Sequence, residues 1–434
     1  MHINATLLRR SKAAARPKTS RMGVEFWVVY AMLMATAIFP VLGKYGNGES
    51  GSSPLAQAVW SIVYVIAGVR LAALRSVSVP LFGKAAGVFV LVGVMFASSL
   101  WSVAPNATFV TSIELIGTTI VALYLVSRFT LDELLNVAVL TFATIALASL
   151  ALIFGAPGHG REDWGSGAWS GLFSDKNNLG AAMSLGLLCS FALSLIAPGW
   201  RRVGALASMI LCGVLMLGSH STTALTSCAV ALLVLVLFWL FRFSKIGSVG
   251  KFAIVVAAIV VASSLAVTGI SMDSIYSSLG KNANLTGRTD FWPYLYQAIG
   301  DRPILGYGYD AFFRSAEGAG ILSYYIIEAG GWTPYHAHNS FLQVMLDAGY
   351  VGLALLVFMQ IVGLVRGFMM ALRSLSPASA LPLAIVVFLI FGSFTETYFD
   401  QYNTFAWIFF VAAMLYPVRD RIVGRSAVEA ARMR

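Results

Sequence analysis

The sequence predicts an all-α integral membrane protein of about 12 transmembrane helices, with a large ordered periplasmic cap between the ninth and the tenth. Three observations carry that expectation. The 434 residues are 58% hydrophobic and only 11% charged, against about 25% charged in a soluble domain. The apolar residues come in runs of about 20, the length a helix needs to cross a bilayer. The 29 Lys and Arg residues gather on alternate sides of those runs, as cytoplasmic loops do in membrane proteins. Mean hydropathy is +0.80. A soluble enzyme, a disordered chain and a secreted disulfide scaffold are excluded. Cys189, Cys212 and Cys228 all lie in apolar runs without metal-ligand spacing.

In chain order, residues 1–24 read as a basic cytoplasmic tail, with Arg9, Arg10, Lys12, Arg16, Lys18 and Arg21 and no small-residue cleavage site. Residues 25–270 hold nine spans, at 25–43, 55–75, 85–101, 109–128, 132–154, 178–197, 203–219, 224–241 and 252–270. Residues 271–339 form the cap. Residues 340–418 hold three further spans, at 340–365, 379–398 and 403–418, and 419–434 form a second basic tail. With the first tail in the cytoplasm of a bacterial inner membrane, alternation places 22 of the 29 basic residues inside, and both termini with them. A slip of one span scrambles that bias. Lys44, Arg161, Lys176, Lys281, Arg288, Arg302 and Arg314 break it, and all but Lys44 fall in two outer segments, 155–177 and 271–339. His159, His220, His336 and His338 fall on the same side, so any chemistry is expected at the periplasmic face.

A structureless loop as long as 271–339 is unusual. Its helix-compatible stretches, 291–299 and 310–316, are separated by glycine turns at 306–308, 318–320 and 330–331. Its Trp292, Tyr294, Tyr296, Trp332 and Tyr335 suit a headgroup region and equally a sugar-binding surface. No internal repeat is visible, which argues against a transporter of two similar halves.

Four short segments could carry chemistry. Residues 169–180 bring Lys176 and Asn177 to the start of the sixth span. A lysine is unfavourable there unless an anion joins it; the plainer reading is a solvated flank neutralised by Asp175. Residues 218–223 place His220 at an outer turn, where a hydrogen-bonded structural role is as ordinary. In 285–292, Thr289 can cap a helix beginning at Asp290, with Arg288 projecting ahead of it; a guanidinium suits a diphosphate or a lipid headgroup. Residues 336–343 bring His338 to the start of the tenth span, where the helix dipole favours the neutral imidazole that a general base requires, although a packing histidine also fits. His336 and His338 stand two apart, with no Cys or carboxylate near them in sequence, so no metal site is expected. His336 is expected to matter less, because residues two apart on a helix do not share a face. Glu396 lies close enough to the outer end of its span to reach the site. Asp347, nine residues past His338, is expected to pair with another helix.

Taken together, the words Gly171–Leu–Phe–Ser–Asp–Lys176–Asn177, Gly287–Arg288–Thr–Asp–Phe–Trp292, Gly306–Tyr–Gly308–Tyr309 and His338–Asn339–Ser–Phe–Leu–Gln343 resemble the O-antigen ligase and Wzy-type polysaccharide polymerase superfamily. The span layout with its large outer loop resembles it too. The ligases usually carry an arginine in a Ser-Arg-type motif at the start of the eighth span. This chain reads Ser219–His220–Ser221–Thr222–Thr223 there, so the likeness is stronger to the exopolysaccharide repeat-unit polymerases. The resemblance implies a glycan donor on undecaprenyl pyrophosphate and an acceptor sugar hydroxyl, joined with inversion and without cofactor or metal. His338 and Arg288 would then be catalytic. Lys176, Arg288 and His220 would hold pyrophosphate, and Asn177, Asn339, Tyr309, Trp292 and Glu396 would position substrate. Membrane lipid, a chain-length regulator and export machinery are the implied partners, and nucleic acid is not. A ligase acting on lipid A core, or a transporter or flippase of lipid-linked glycan, are the alternatives.

Overall fold

A computed structural model describes residues 20–45, 54–162, 167–267, 288–329, 333–374, 376–399 and 401–432. Among the described residues the chain is helical, apart from one isolated bridge between Arg161 and Trp169. Each apolar run read from the sequence overlaps a helix or a pair of helices among the described residues. Among the described residues, seven helices are long and apolar enough to cross a membrane: Pro54–Ala72, Pro105–Arg128, Leu131–Gly155, Lys176–Ile196, Gly199–Gly218, Thr222–Phe241 and Ser340–Arg373. Arg75–Lys84 and Ala86–Leu100 make an eighth if the pair, bent by 74°, is one span. The described residues also hold four shorter apolar helices. The third span expected at 85–101 is therefore the second arm of this bent pair, whose first arm contains Pro80 and ends at Lys84.

The helices gather around a continuous apolar core that includes Trp60, Tyr124, Phe142, Phe388, Trp407 and Phe410. At the end of the bundle away from the cap, basic side chains are tied to nearby acceptors. Arg419 Nε donates to the Val126 carbonyl at 2.6 Å, and Arg201 donates to Asn136 Oδ1. Arg70 pairs with Glu25, which also accepts from Tyr124. A Thr130–Glu133 capping box starts the Leu131–Gly155 helix at that same end and stabilises it by about 1 kcal/mol.

At the other end, the described residues of the cap have a core of their own. Phe291, Leu295 and Ile299 of Arg288–Asp301 pack with Tyr307, Phe312 and Leu322, and this cluster closes on Leu342 and Leu346 of Ser340–Arg373. That long helix is broken at Ala348 and Gly349. A break strands backbone groups that need partners, and the cap supplies them. Tyr307 N–H donates to the Leu346 carbonyl at 2.6 Å, Gly308 N–H to the Asp347 carbonyl at 3.1 Å, and Tyr350 N–H to the Pro303 carbonyl at 2.7 Å. The approach is so close that only glycine fits. A Cβ on Gly306 would lie 2.4 Å from the Leu346 oxygen, and one on Gly349 2.2 Å from the Ile304 oxygen; both residues have positive φ. Asp347 belongs to this lock. It is 1% exposed and accepts from the Asp310 N–H at 3.0 Å and from Gln343 Nε2 at 3.2 Å. It is thus held by the cap loop and by its own helix.

Candidate active site

Four segments far apart in sequence meet on the cap face and close a ring of side-chain contacts. Ser221 Oγ donates to Asn177 Oδ1 at 2.9 Å, and Thr223 Oγ1 meets Thr395 Oγ1 at 2.7 Å. Glu396 Oε2 meets His338 Nδ1 at 3.3 Å, and Tyr335 Oη reaches back to Asp175 Oδ2 at 3.5 Å. Two of the segments, at Asn177 and at Ser221–Thr223, are helix starts, where unpaired backbone groups favour polar residues; the other two are loops beside a helix end.

His338 and Glu396 are the inner pair, 7% and 5% exposed. His338 has φ +48°, a left-handed conformation that costs a non-glycine residue on the order of 1 kcal/mol or more. Several contacts hold it there. Its N–H donates to His336 Nδ1 at 3.1 Å. Trp292 Nε1 donates to the Ala337 carbonyl at 3.0 Å, and Ala337 N–H donates to Gln343 Oε1 at 3.0 Å. Asn339 caps the following helix by accepting from Phe341 and Leu342, while its Nδ2 donates to the Phe394 carbonyl. Ser340 Oγ accepts the Tyr398 N–H and donates to the Glu396 carbonyl at 3.0 Å, which fixes the Glu396 loop to the same turn. Glu396 lies beyond the end of Leu381–Gly392, in a loop and not in the span expected to 398.

The chemistry follows from the tautomer. A carboxylate at Nδ1 favours the neutral ring with its proton on Nδ1, which leaves Nε2 as the acceptor. Once Nε2 takes a proton, the same carboxylate stabilises the imidazolium.

His336 and His338 both precede the helix, which begins at Ser340. The helical-face argument that set His336 apart therefore does not apply to this turn. Their rings pack with centroids 4.0 Å apart, and Thr397 Oγ1 lies 3.5 Å from His336 Nδ1. Glu396 also supplies the carboxylate that no sequence neighbour offered. The nearest ligand atoms of His336, His338 and Glu396 all lie within 4.8 Å of one another.

Lys176 opens its helix, but Asp175 is not its ion-pair partner. Asp175 is the N-cap and accepts from the Asn177 and Asn178 N–H groups. Lys176 Nζ pairs with Glu162 Oε2 at 3.7 Å, and Glu162 Oε1 accepts the Lys176 N–H at 2.9 Å. This helix start therefore already has protein carboxylates on its first three N–H groups. Burial holds the Asp175 carboxyl above its usual range against the Asn178 N–H bond, and the charge on Glu396 raises it further.

The other expected residues separate. Trp292 braces the His338 loop. Arg288 opens the Arg288–Asp301 helix one turn before Trp292, so the helix begins two residues earlier than the Thr289 cap implied; the Arg288 side chain lies outside the described residues. His220 has φ +51° and is exposed on the turn beside Ser221. Tyr309 is 1% exposed in the main core, with its N–H donating to Ser98 Oγ and its carbonyl accepting from Thr108. It anchors the cap loop away from the ring. Gly287, Gly330, Gly331 and Trp332 lie outside the described residues. Reasoning from sequence missed Glu162, Thr395 and Thr397, because no spacing signal links them to the segments they touch.

Residues 207–357 match a family model described as O-antigen ligase. That stretch holds His220, Arg288, Trp292, Tyr309, His338 and Asn339; Lys176, Asn177 and Glu396 fall outside it. The chain is also 26% identical over 294 residues to the exopolysaccharide production protein ExoQ of Rhizobium meliloti (strain 1021). That match covers 66% of this chain and 65% of the relative, just under two thirds of its length. The two likenesses agree with the four sequence words: the chain is similar to the O-antigen ligase and Wzy-type polymerase superfamily, on its exopolysaccharide side.

Proposed function

We propose that this protein polymerises lipid-linked polysaccharide repeat units. It transfers a glycan from undecaprenyl pyrophosphate to an acceptor sugar hydroxyl, at the periplasmic face of a twelve-span inner-membrane fold. The observation that carries the proposal is the His338–Glu396 pair at 3.3 Å, buried where the cap re-enters the bundle. His338 Nε2 takes the proton of the acceptor hydroxyl as its oxygen attacks the anomeric carbon. The C–O bond to pyrophosphate breaks, and the diphosphate leaves with the bonding electrons. One displacement inverts the centre and needs one base, in contrast to a hydrolase's paired carboxylates.

The leaving group carries negative charge that must be held. Arg288 stands one helical turn from Trp292, which touches the His338 loop, and is the first candidate for that task. Lys176 is a second cation, available through exchange of its Glu162 partner for phosphate. His220 is the exposed third contact. Asn177, Asn339 and Trp292 shape the ring that orients the acceptor, and the cap excludes water and aligns two bulky substrates. The relative's name, an exopolysaccharide production protein, supports a polymerase. The family model's description, O-antigen ligase, favours a second reading in which the acceptor is lipid A core.

Purified protein in liposomes, given one defined undecaprenyl-pyrophosphate repeat unit, is expected to form a ladder of longer lipid-linked glycans. A single transfer to lipid A core without a ladder would establish the ligase reading. Retention of substrate with neither product would remove both.

A further inference from the structure

Glu396, 58 residues beyond His338, completes a second kind of site. Two imidazoles and one carboxylate form a common three-ligand set for zinc with an open fourth position. The three ligand atoms of His336, His338 and Glu396 lie within 4.8 Å of one another. The distance between His338 Nδ1 and Glu396 Oε2 is 3.3 Å. A charge-assisted N–H···O bond is shorter, about 2.7–2.9 Å. In a tetrahedral site with metal–ligand bonds of about 2.0–2.1 Å, ligand atoms stand about 3.3 Å apart, so this edge of the triangle already has the spacing of a coordination shell. His336 presents a lone pair at Nδ1, because that nitrogen accepts the His338 N–H. A metal would take the same lone pair without a change of tautomer, and the His338 N–H···Nδ1 bond breaks as it binds. The Glu396 loop is held in place by Ser340, whose hydroxyl donates to the Glu396 carbonyl at 3.0 Å.

We propose that His336, His338 and Glu396 bind a divalent transition metal of the zinc class, and that occupancy switches the enzyme off. This rests on the reading of His338 as the base. The inhibition is a matter of proton placement. In the working state His338 carries its proton on Nδ1, facing Glu396, and its lone pair is on Nε2. A metal on Nδ1 requires the lone pair there, so the proton of the neutral ring moves to Nε2. That nitrogen is then an N–H donor and accepts nothing from an acceptor hydroxyl. Glu396 is drawn to the metal at the same time and no longer supports the imidazolium. Nitrogen ligands select zinc, cobalt, nickel or copper over magnesium and calcium, which take oxygen, so the common hard cations do not occupy the site. The transfer itself uses no metal, and removing the metal restores the rate.

The test uses the full chain in detergent with Co²⁺ as a spectroscopic stand-in for zinc, followed by zinc competition. Wild type is expected to bind one Co²⁺ with the strong visible bands of a tetrahedral site, and zinc should displace it. His336→Ala and Glu396→Gln are each expected to weaken binding at least about tenfold, since losing even an outer support costs about 10–100-fold. Their melting curves, and a third variant, His336→Asn, separate a lost ligand from a lost fold. In liposomes, micromolar zinc should stop ladder formation by wild type and a chelator should restore it, while magnesium has no effect. Equal zinc affinity in wild type and folded His336→Ala, or no tetrahedral cobalt spectrum, would overturn the site. Tight zinc binding with an undiminished ladder would overturn the switch. Full activity in His338→Ala would overturn the base instead, with the cobalt spectrum still reporting on the metal site by itself.

Discussion

Asp310 and Glu396 are both acidic residues under the cap, and they are answered by different partners. Asp310 meets a guanidinium. Arg314 Nη2 lies 2.7 Å from Asp310 Oδ2 and also donates to Tyr402 Oη at 3.2 Å, while the Asp310 N–H is held by Asp347. Glu396 meets an imidazole, His338, and lies near enough to Asp175 to raise its carboxyl. A guanidinium keeps its charge at every accessible pH, so it moves no proton itself, and the first pair serves to fix the cap loop into the broken helix. An imidazole gains and loses its charge near neutrality, so the second pair can pass a proton. One cluster is a fastener and the other is the proposed working site, although composition alone would rank them together.

The comparison breaks most sharply at His338. His338→Ala is expected to fold and to lose about 10²–10⁴ in ladder-forming rate. The matching loss in the fastener, Arg314→Met, should appear in thermal stability with the rate per folded molecule kept. Comparable rates in wild type and His338→Ala at matched protein levels would erase the distinction. Next is Arg288→Lys, where the charge stays but the planar fork of donors is lost. A rate loss of about tenfold or more is expected, short of the 10²–10³ for a missing donor; near-normal turnover would reduce Arg288 to a general surface cation. Third, Gly349→Ala tests the fastener's backbone. The added Cβ meets the Ile304 oxygen at a left-handed position, so a stability loss above the roughly 1–2 kcal/mol of such a conformation should show as a lower melting temperature. A melting curve identical to wild type would mean that the cap loop does not lock the break.

The smallest effect is a pH dependence of the fastener. Burial, opposed by Arg314, holds the Asp310 carboxyl up at about 6, against an ordinary 3.8. The folded protein therefore binds this proton more tightly than the unfolded chain. The contribution to stability is present in full below the unfolded value and is lost as pH rises through the folded one. Between about pH 4 and pH 6 the melting temperature should fall by an increment that Asp310→Asn removes. The same slope in both proteins would assign it to another group.

The helices were legible from the apolar runs, because crossing a bilayer imposes length and hydropathy together. The break at Ala348 and Gly349 was not, since nothing in that run marks where a distant loop will supply backbone partners. Likewise Arg75–Lys84 reads as a charged loop until Pro80 is seen to sit inside a short helix. His338, Asn339, Trp292 and Asn177 were named from type and position, and the fold brings them together around one ring of contacts. The cap-loop contact of Asp347 was not foreseen and Lys176 was given the wrong neutralising carboxylate, because side-chain pairing at helix ends depends on tertiary approach. Glu396 was named as able to reach the site; that it faces His338 Nδ1, and so leaves Nε2 as the acceptor, required the fold.

The central claim is that His338 and Glu396 act as one base. A double-mutant cycle on ladder-forming rate, using His338→Ala, Glu396→Gln and the combined variant in liposomes with a single defined lipid-linked repeat, tests it most directly. If Glu396 works only through His338, Glu396→Gln alone lowers the rate about 10–100-fold, and adding it to His338→Ala changes nothing further. If the two losses multiply in the combined variant, the residues act independently and the pair is not the base.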